Sequence, residues 1–207
     1  METTLPQGFQ HFKGYLSSSR QALVLAAVEE VVSKAPFYTP TMPNSGKPLS
    51  VTMTNCGHLG WVSDKHGGYR YQAAHPVTGA PWPDMPKAFL AIWTALSGYP
   101  VPPEACLINQ YGSGARLGSH VDADEEDTTA PVISLSLGDD AVFHIGGNRR
   151  SDPKLRLVLR SGDVVILGGA ARLAYHGVDR VLAGTSELLP RGGRINLTMR
   201  RVTRPST

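Results

Sequence analysis

At 207 residues, 41% of them hydrophobic and 18% charged, the chain has the size and composition of a single globular domain with one sizeable core. No stretch approaches the roughly 20 consecutive apolar residues of a membrane span, and the N-terminal METTLPQGFQ has no basic region followed by an apolar run, so neither membrane insertion nor export is expected. The net charge of +3 admits an anionic partner without requiring one, and two isolated cysteines, Cys56 and Cys106, outside any zinc or C-x-x-C pattern, predict reduced thiols in a cytoplasmic protein.

In chain order, residues 17–34 read as a helix, with a serine at 17, 18 or 19 as its cap and Leu23, Ala27 and Val31 at helical spacing. Residues 37–83 mix Pro, Gly, Thr and Asn with Met53, Trp61, Tyr69, Tyr71 and Trp82, a pattern of irregular structure and short strands that present aromatic groups. A second helix is predicted from Pro86 to Ser97, with proline at its first position, Phe89, Ile92, Trp93 and Leu96 on one stripe, and Gly98 to stop it. From Ala105 onward, short β-branched runs alternate with Gly, Asp and Pro turns: residues 106–111, 132–137, 141–145, 155–159, 163–167, 175–181 and 194–200. The spacing predicts a mainly β fold with flanking helices, built as a double-sheet jelly roll whose sheets enclose a cavity. One domain is expected over 1–207, with an N-terminal extension and helix (1–35), an aromatic-rich segment (36–85), and the second helix with the jelly-roll core (86–207).

Three segments carry chemistry. In an extended strand, His120 and Asp122 of Ser119-His120-Val121-Asp122 point to one side, offering an imidazole and a carboxylate to a common point. His176 of Tyr175-His176-Gly177 is the best candidate for a third ligand, since two histidines and one carboxylate, with further positions open, suit non-haem Fe(II) oxygenases. Along Arg194 to Arg200, even spacing sets Arg194, Asn196, Thr198 and Arg200 on one face and Ile195, Leu197 and Met199 on the other. Either the polar face is solvated, as amphipathic strands usually are, or its guanidiniums hold the carboxylates of a small dicarboxylate beside the metal. Leu107, Asn109 and Tyr111 share a face in the same manner and suit the wall of the same cavity. The acidic run Asp122 to Asp127 reads as a solvated loop whose first members lie near the metal.

These segments, with Met53-Thr54-Asn55-Cys56-Gly57-His58-Leu59-Gly60-Trp61 and Cys106 to Tyr111, resemble bacterial AlkB-type alkylated-DNA repair dioxygenases over roughly residues 36–201. The resemblance implies an enzyme dependent on Fe(II), 2-oxoglutarate and O2 that removes N-methyl groups from 1-methyladenine and 3-methylcytosine. Formaldehyde is released, and 2-oxoglutarate becomes succinate and carbon dioxide. It implies iron on His120, Asp122 and His176, with Arg194 on the distal carboxylate of 2-oxoglutarate and Arg200 at its metal end. Leu107, Asn109, Tyr111 and Asn196 complete that pocket. It further implies that 36–85 is a nucleotide-recognition lid, with the extruded base between Trp61 and His120. Tyr69 and Arg150 become phosphate or substrate-edge contacts, Arg116 a further positive contact, and Asp124 and Glu125 acceptors for an exocyclic amine. The partner implied is alkylated single- or double-stranded DNA, or RNA, and the protein is expected to be a monomer. Val121 departs from the polar residue that a close bacterial relative carries there.

Three other readings compete: a 2-oxoglutarate oxygenase of methylated RNA, protein or a small metabolite, a zinc hydrolase on the same ligands, and a non-catalytic jelly-roll module. The arginine face argues against zinc hydrolysis, and the aromatic lid favours nucleic acid over an aliphatic metabolite.

Overall fold

The computed structural model describes residues 4–205. Its first half contains β1 (Phe9–Phe12), α1 (Ser18–Lys34), β2 (Thr52–Gly57), β3 (Gly60–Asp64), β4 (Gly68–Gln72) and α2 (Lys87–Leu96). The second half is almost all strand: β5 (Ala105–Tyr111), β6 (Leu117–His120), β7 (Val132–Gly138), β8 (Asp140–Ile145), β9 (Leu155–Leu159), β10 (Val164–Leu167), β11 (His176–Leu182) and β12 (Arg194–Arg200). A six-stranded sheet runs β1-β10-β7-β12-β5-β2 and a four-stranded sheet β6-β11-β8-β9, while β3 and β4 form a separate hairpin. The pairings between these strands are antiparallel. Both larger sheets turn side chains into a shared apolar layer that includes Tyr111, Val165 and Leu167 from one and Phe143, Ile145 and Val178 from the other, the architecture of a jelly roll.

On its other side the six-stranded sheet packs against the helices, where Ile108, Ile133, Leu135 and Leu197 meet Val24, Val28, Phe89 and Trp93. Ser17 caps α1 by accepting a hydrogen bond from the Arg20 amide at 3.4 Å. The buried stripe of α1 is Val24, Val28 and Val31, and Leu23, expected inside, is exposed. Helical spacing fits either stripe, and contact with the sheet selects the one centred on the valines. In α2, Phe89, Ile92 and Trp93 are buried and each contributes about 1.5–3 kcal/mol by leaving water. Pro86 is its N-cap rather than its first helical residue.

β2, within the segment expected to hold short strands, and β6, the extended stretch that carries His120, frame the site. β2 forms the edge beside β5, and its buried Asn55 grips the hairpin by donating to the Trp61 carbonyl at 3.0 Å and accepting from the Trp61 amide at 3.1 Å. Between β2 and β3 the chain reverses at Gly57, where φ is +108° and a Cβ would lie 2.3 Å from the Glu104 carbonyl oxygen, so only glycine fits. None of the described helices is long and apolar enough to cross a membrane.

Candidate active site

His120 closes β6 and His176 opens β11, and the two are direct partners across the antiparallel pair, with ring centroids 4.5 Å apart. Both approach the same point because each uses Nδ1 locally: His120 donates it to the Gly118 carbonyl and His176 to the Ala174 carbonyl, each at 2.9 Å. That choice of tautomer leaves both Nε2 lone pairs free for a metal. Asp122 lies just beyond β6 rather than within an extended strand, so the shared strand face does not account for its placement. Its Oδ1 is 3.7 Å from His120 Nε2 and its Oδ2 3.8 Å from His176 Nε2. One ligand atom from each residue lies within 4.8 Å of the others, a spacing suited to a common ion.

Two buried arginines set the Asp122 loop. Arg200 Nη2 donates to Asp122 Oδ1 at 2.9 Å, and Arg172 Nη1 donates to the Asp122 main-chain carbonyl at 2.6 Å. Burial opposes the charge of Asp122, but Arg200 and the two imidazoles outweigh it and hold the carboxyl well below the usual carboxylate range. Burial, reinforced by His120, depresses the His176 imidazole to about 4 and keeps it neutral, the form that binds metal. Burial also opposes the charge on Arg200, yet Asp122, Tyr71 and Glu125 raise its pKa above the ordinary guanidinium value.

All seven residues of β12 are buried, which excludes a solvated polar face. Arg194, Asn196, Thr198 and Arg200 instead line a cavity of about 570 Å³ between the sheets, together with Leu107, Asn109 and Tyr111. Arg194 is 1% exposed, lies with Cζ 5.4 Å from the Tyr111 ring centre and donates from Nη2 to Ser136 at 2.8 Å. Its Nε and Nη1, and Asn109 Oδ1, have no partner among the described residues. A buried guanidinium short of acceptors on the wall of this cavity fits a carboxylate. Asn196 is engaged within the sheet, donating to Ser134 Oγ at 2.8 Å and to the Leu135 carbonyl at 2.9 Å.

At the mouth, Trp61 and Tyr69 stack at 5.4 Å with 22° between their planes, and both line the cavity. Trp61 Nε1 donates to Asp124 Oδ2 at 2.7 Å. Arg150 also lines the cavity, with its guanidinium 5.5 Å from the centre of the Tyr175 ring. Arg116 is exposed and absent from the cavity wall, and its backbone is tied to Ser50. Glu125 contacts the cavity but spends its oxygens inside the protein, on Arg172 at 3.0 Å, on Arg200 at 3.3 Å and on the Tyr71 hydroxyl. The acidic run is therefore only partly a solvated loop: Asp122, Glu125 and Asp127 are buried and Asp124 and Glu126 exposed. Sequence reasoning missed Arg172 and Tyr71. Arg172 follows a run of small residues with no distinguishing periodicity, whereas Tyr71 stands two residues from Tyr69 in the aromatic-rich segment, and that spacing could have placed both on one face of a strand.

Residues 8–200 match the model of the 2OG-Fe(II) oxygenase superfamily. The chain belongs to that family. Within it, the chain is 54% identical over 198 residues to an alpha-ketoglutarate-dependent dioxygenase AlkB homolog of Caulobacter vibrioides, covering 96% of this chain and 89% of the relative. It is 46% identical over 178 residues to alpha-ketoglutarate-dependent dioxygenase AlkB of Escherichia coli, covering 84% and 81%. The solved structure of OsALKBH1 superposes with a TM-score of 0.81 at 30% identity, covering 96% of this chain and all of that one. This 2OG-Fe(II) oxygenase is accordingly an AlkB-type, iron- and 2-oxoglutarate-dependent dioxygenase. Its fold is the jelly roll expected from the strand spacing, and its donor set suits the family's cofactors.

Proposed function

We propose that this dioxygenase repairs DNA by oxidative demethylation of 1-methyladenine and 3-methylcytosine. Bound at the His120, Asp122 and His176 cluster and the Arg194 wall, Fe(II) and 2-oxoglutarate supply with O2 the oxidising chemistry, giving succinate, carbon dioxide and formaldehyde. Arg194 pairs with the distal carboxylate and Arg200 anchors the metal end, with Leu107, Asn109, Tyr111 and Asn196 completing the wall. Residues 36–85 act as a lid over 86–207. Trp61 offers an aromatic face to a base taken out of its stack, opposite His120, and Asp124 accepts from the exocyclic amine. Tyr69 and Arg150 meet the phosphates or substrate edge, and Arg116 supplies a further positive contact. The protein works as a cytoplasmic monomer, in keeping with its two free cysteines.

One observation carries this reading: a carboxylate-seeking buried arginine, a two-histidine one-carboxylate cluster and an aromatic pair border a single cavity. A small aliphatic metabolite has no use for the aromatic mouth. Mass spectrometry of single- and double-stranded oligonucleotides bearing one defined methylated base, with Fe(II), 2-oxoglutarate and ascorbate, tests it, and a methylated RNA oligonucleotide in the same assay ranks the two nucleic acids. Loss of 14 mass units from the DNA is expected (one CH2, methyl to hydrogen). No loss from any DNA substrate, with 2-oxoglutarate still consumed, overturns the DNA repair reading.

A further inference from the structure

The strand that delivers His176 is irregular, and the irregularity is held from behind. β11 pairs with β8 such that Val178 faces Phe143 and Arg180 faces Val142, so Asp179 is an extra residue without a partner on β8. A bulge of this kind decides which side chains face inward, because sheet side chains alternate and a slip of one residue exchanges the two faces. Were the extra residue absorbed, the strand N-terminal to it would shift by one and Gly177 would take the inward position of His176.

Asp179 is clasped at this point. Its Oδ1 accepts from His144 Nδ1 at 2.7 Å and its Oδ2 from Arg156 Nε at 2.9 Å, so one carboxylate ties β11 to both β8 and β9. His144 stands opposite Gly177 on one side and Arg156 on the other. Its ring covers Gly177: a Cβ there would lie 2.9 Å from His144 Cε1 and 2.9 Å from the Gly118 carbonyl, the acceptor that orients His120. Neither His144 nor Asp179 borders the cavity.

The choice of histidine is informative. His144 is 5% exposed and its Nε2 has no hydrogen-bond partner among the described residues, a cost that a leucine filling the same space would avoid. What imidazole adds is the Nδ1–H that reaches Asp179. Burial holds the ring below the ordinary histidine range against the pull of Asp179, which favours the neutral form with its proton on Nδ1.

We propose that His144 and Asp179 are positioning residues for the metal centre: their clasp pins the β11 bulge and thereby the presentation of His176. The proposal rests on His120, Asp122 and His176 being the metal ligands. Purified metal-free protein is titrated with Co(II), followed by its visible absorption, and melted without metal. His144→Leu is expected to melt at or above the wild-type temperature, having lost a buried unpaired nitrogen, yet to bind Co(II) at least about tenfold more weakly. His144→Asn, which retains an N–H toward Asp179, recovers most of that affinity, and Asp179→Ala shows the loss again. Co(II) affinities within twofold of wild type in folded His144→Leu and Asp179→Ala overturn the proposal, as does failure of both to fold, which assigns the clasp to folding alone. Wild-type protein that does not bind Co(II) through the three ligands would sink the metal-centre reading itself.

Discussion

Trp61 and Asp124 are joined by a 2.7 Å hydrogen bond from the indole Nε1–H to Oδ2. Beside it, Tyr71, the cross-strand partner of Trp61 in the hairpin, donates its hydroxyl to Glu125. Consecutive acids two and three positions beyond the ligand Asp122 thus hold an aromatic pair from neighbouring strands, and the mouth of the cavity is tied to the metal loop by side chains. Asp124 consequently has two tasks open to it, aiming Trp61 and accepting from a base.

Substitution separates those tasks. Asp124→Ala releases the indole and is expected to lower catalytic efficiency on methyladenine and methylcytosine about tenfold or more, the scale of a hydrogen bond to a charged acceptor. Asp124→Asn keeps an oxygen for the indole but removes the negative charge, so it should retain more activity while narrowing the advantage over methylguanine and methylthymine, whose carbonyl oxygens a carboxylate repels. Competition assays on four singly methylated oligonucleotides measure this. Equal proportional losses on all four in Asp124→Asn restrict the residue to holding Trp61.

Arg194→Lys keeps the charge but loses the planar pair of donors matched to a carboxylate. We expect the KM for 2-oxoglutarate to rise about tenfold while affinity for methylated DNA changes little. Turnover of 2-oxoglutarate without DNA gives the first value and fluorescence anisotropy the second. An unchanged KM removes Arg194 from the wall that holds the cosubstrate.

Arg172 pins three points of the single loop between β6 and β7: it donates to the Ala130 carbonyl at 2.9 Å, to the Asp122 carbonyl at 2.6 Å and to Glu125 at 3.0 Å, all out of water. Arg172→Met leaves Glu125 with half its cationic partners and should destabilise the fold by about 3 kcal/mol, with Arg172→Met/Glu125→Gln recovering part of the loss. Urea unfolding measures both. A loss below about 1 kcal/mol would mean that Arg200 and Tyr71 alone satisfy the buried carboxylate.

The metal-free protein should lose stability in acid. The His176 imidazole is depressed from 6.5 to about 4, first by burial and then by His120, so between those values the unfolded chain binds a proton that the folded one refuses. Stability is therefore fully present above pH 6.5 and falls as pH drops toward 4, by on the order of 3 kcal/mol from this group. Asp122, held below its ordinary range, acts in the same direction at lower pH. Melting curves of wild type and His176→Gln from pH 7 to 4 isolate the histidine contribution, which the variant lacks. Parallel curves would show that His176 does not titrate below its ordinary value.

Much of this molecule was legible in the sequence because the information was local. The two-residue alternation of Arg194 to Arg200 separates a polar from an apolar face without any structure, and strand spacing beyond Ala105 favours a double-sheet β fold. Whether that polar face met water or a cavity was beyond reach, since the answer lies in the opposing four-stranded sheet, contributed by distant segments. The stripe of α1 was ambiguous for the same reason: Leu23 and Val24 both suit helical spacing, and only the packed sheet selects the valine.

The kinds of donor at the site, His120, Asp122 and His176, follow from the amino-acid order alone, because ligand chemistry resides in the residue type. Their convergence belongs to the tertiary structure. His120 meets His176 through pairing across 56 positions of chain, and an unpaired Asp179 accompanies the inward aim of the second ligand. Neither the pairing nor the bulge leaves a periodic mark, since both depend on which strands become neighbours. The same holds for Arg172 and Glu125, whose charges look like surface charges until the fold removes them from water and sets them 3.0 Å apart.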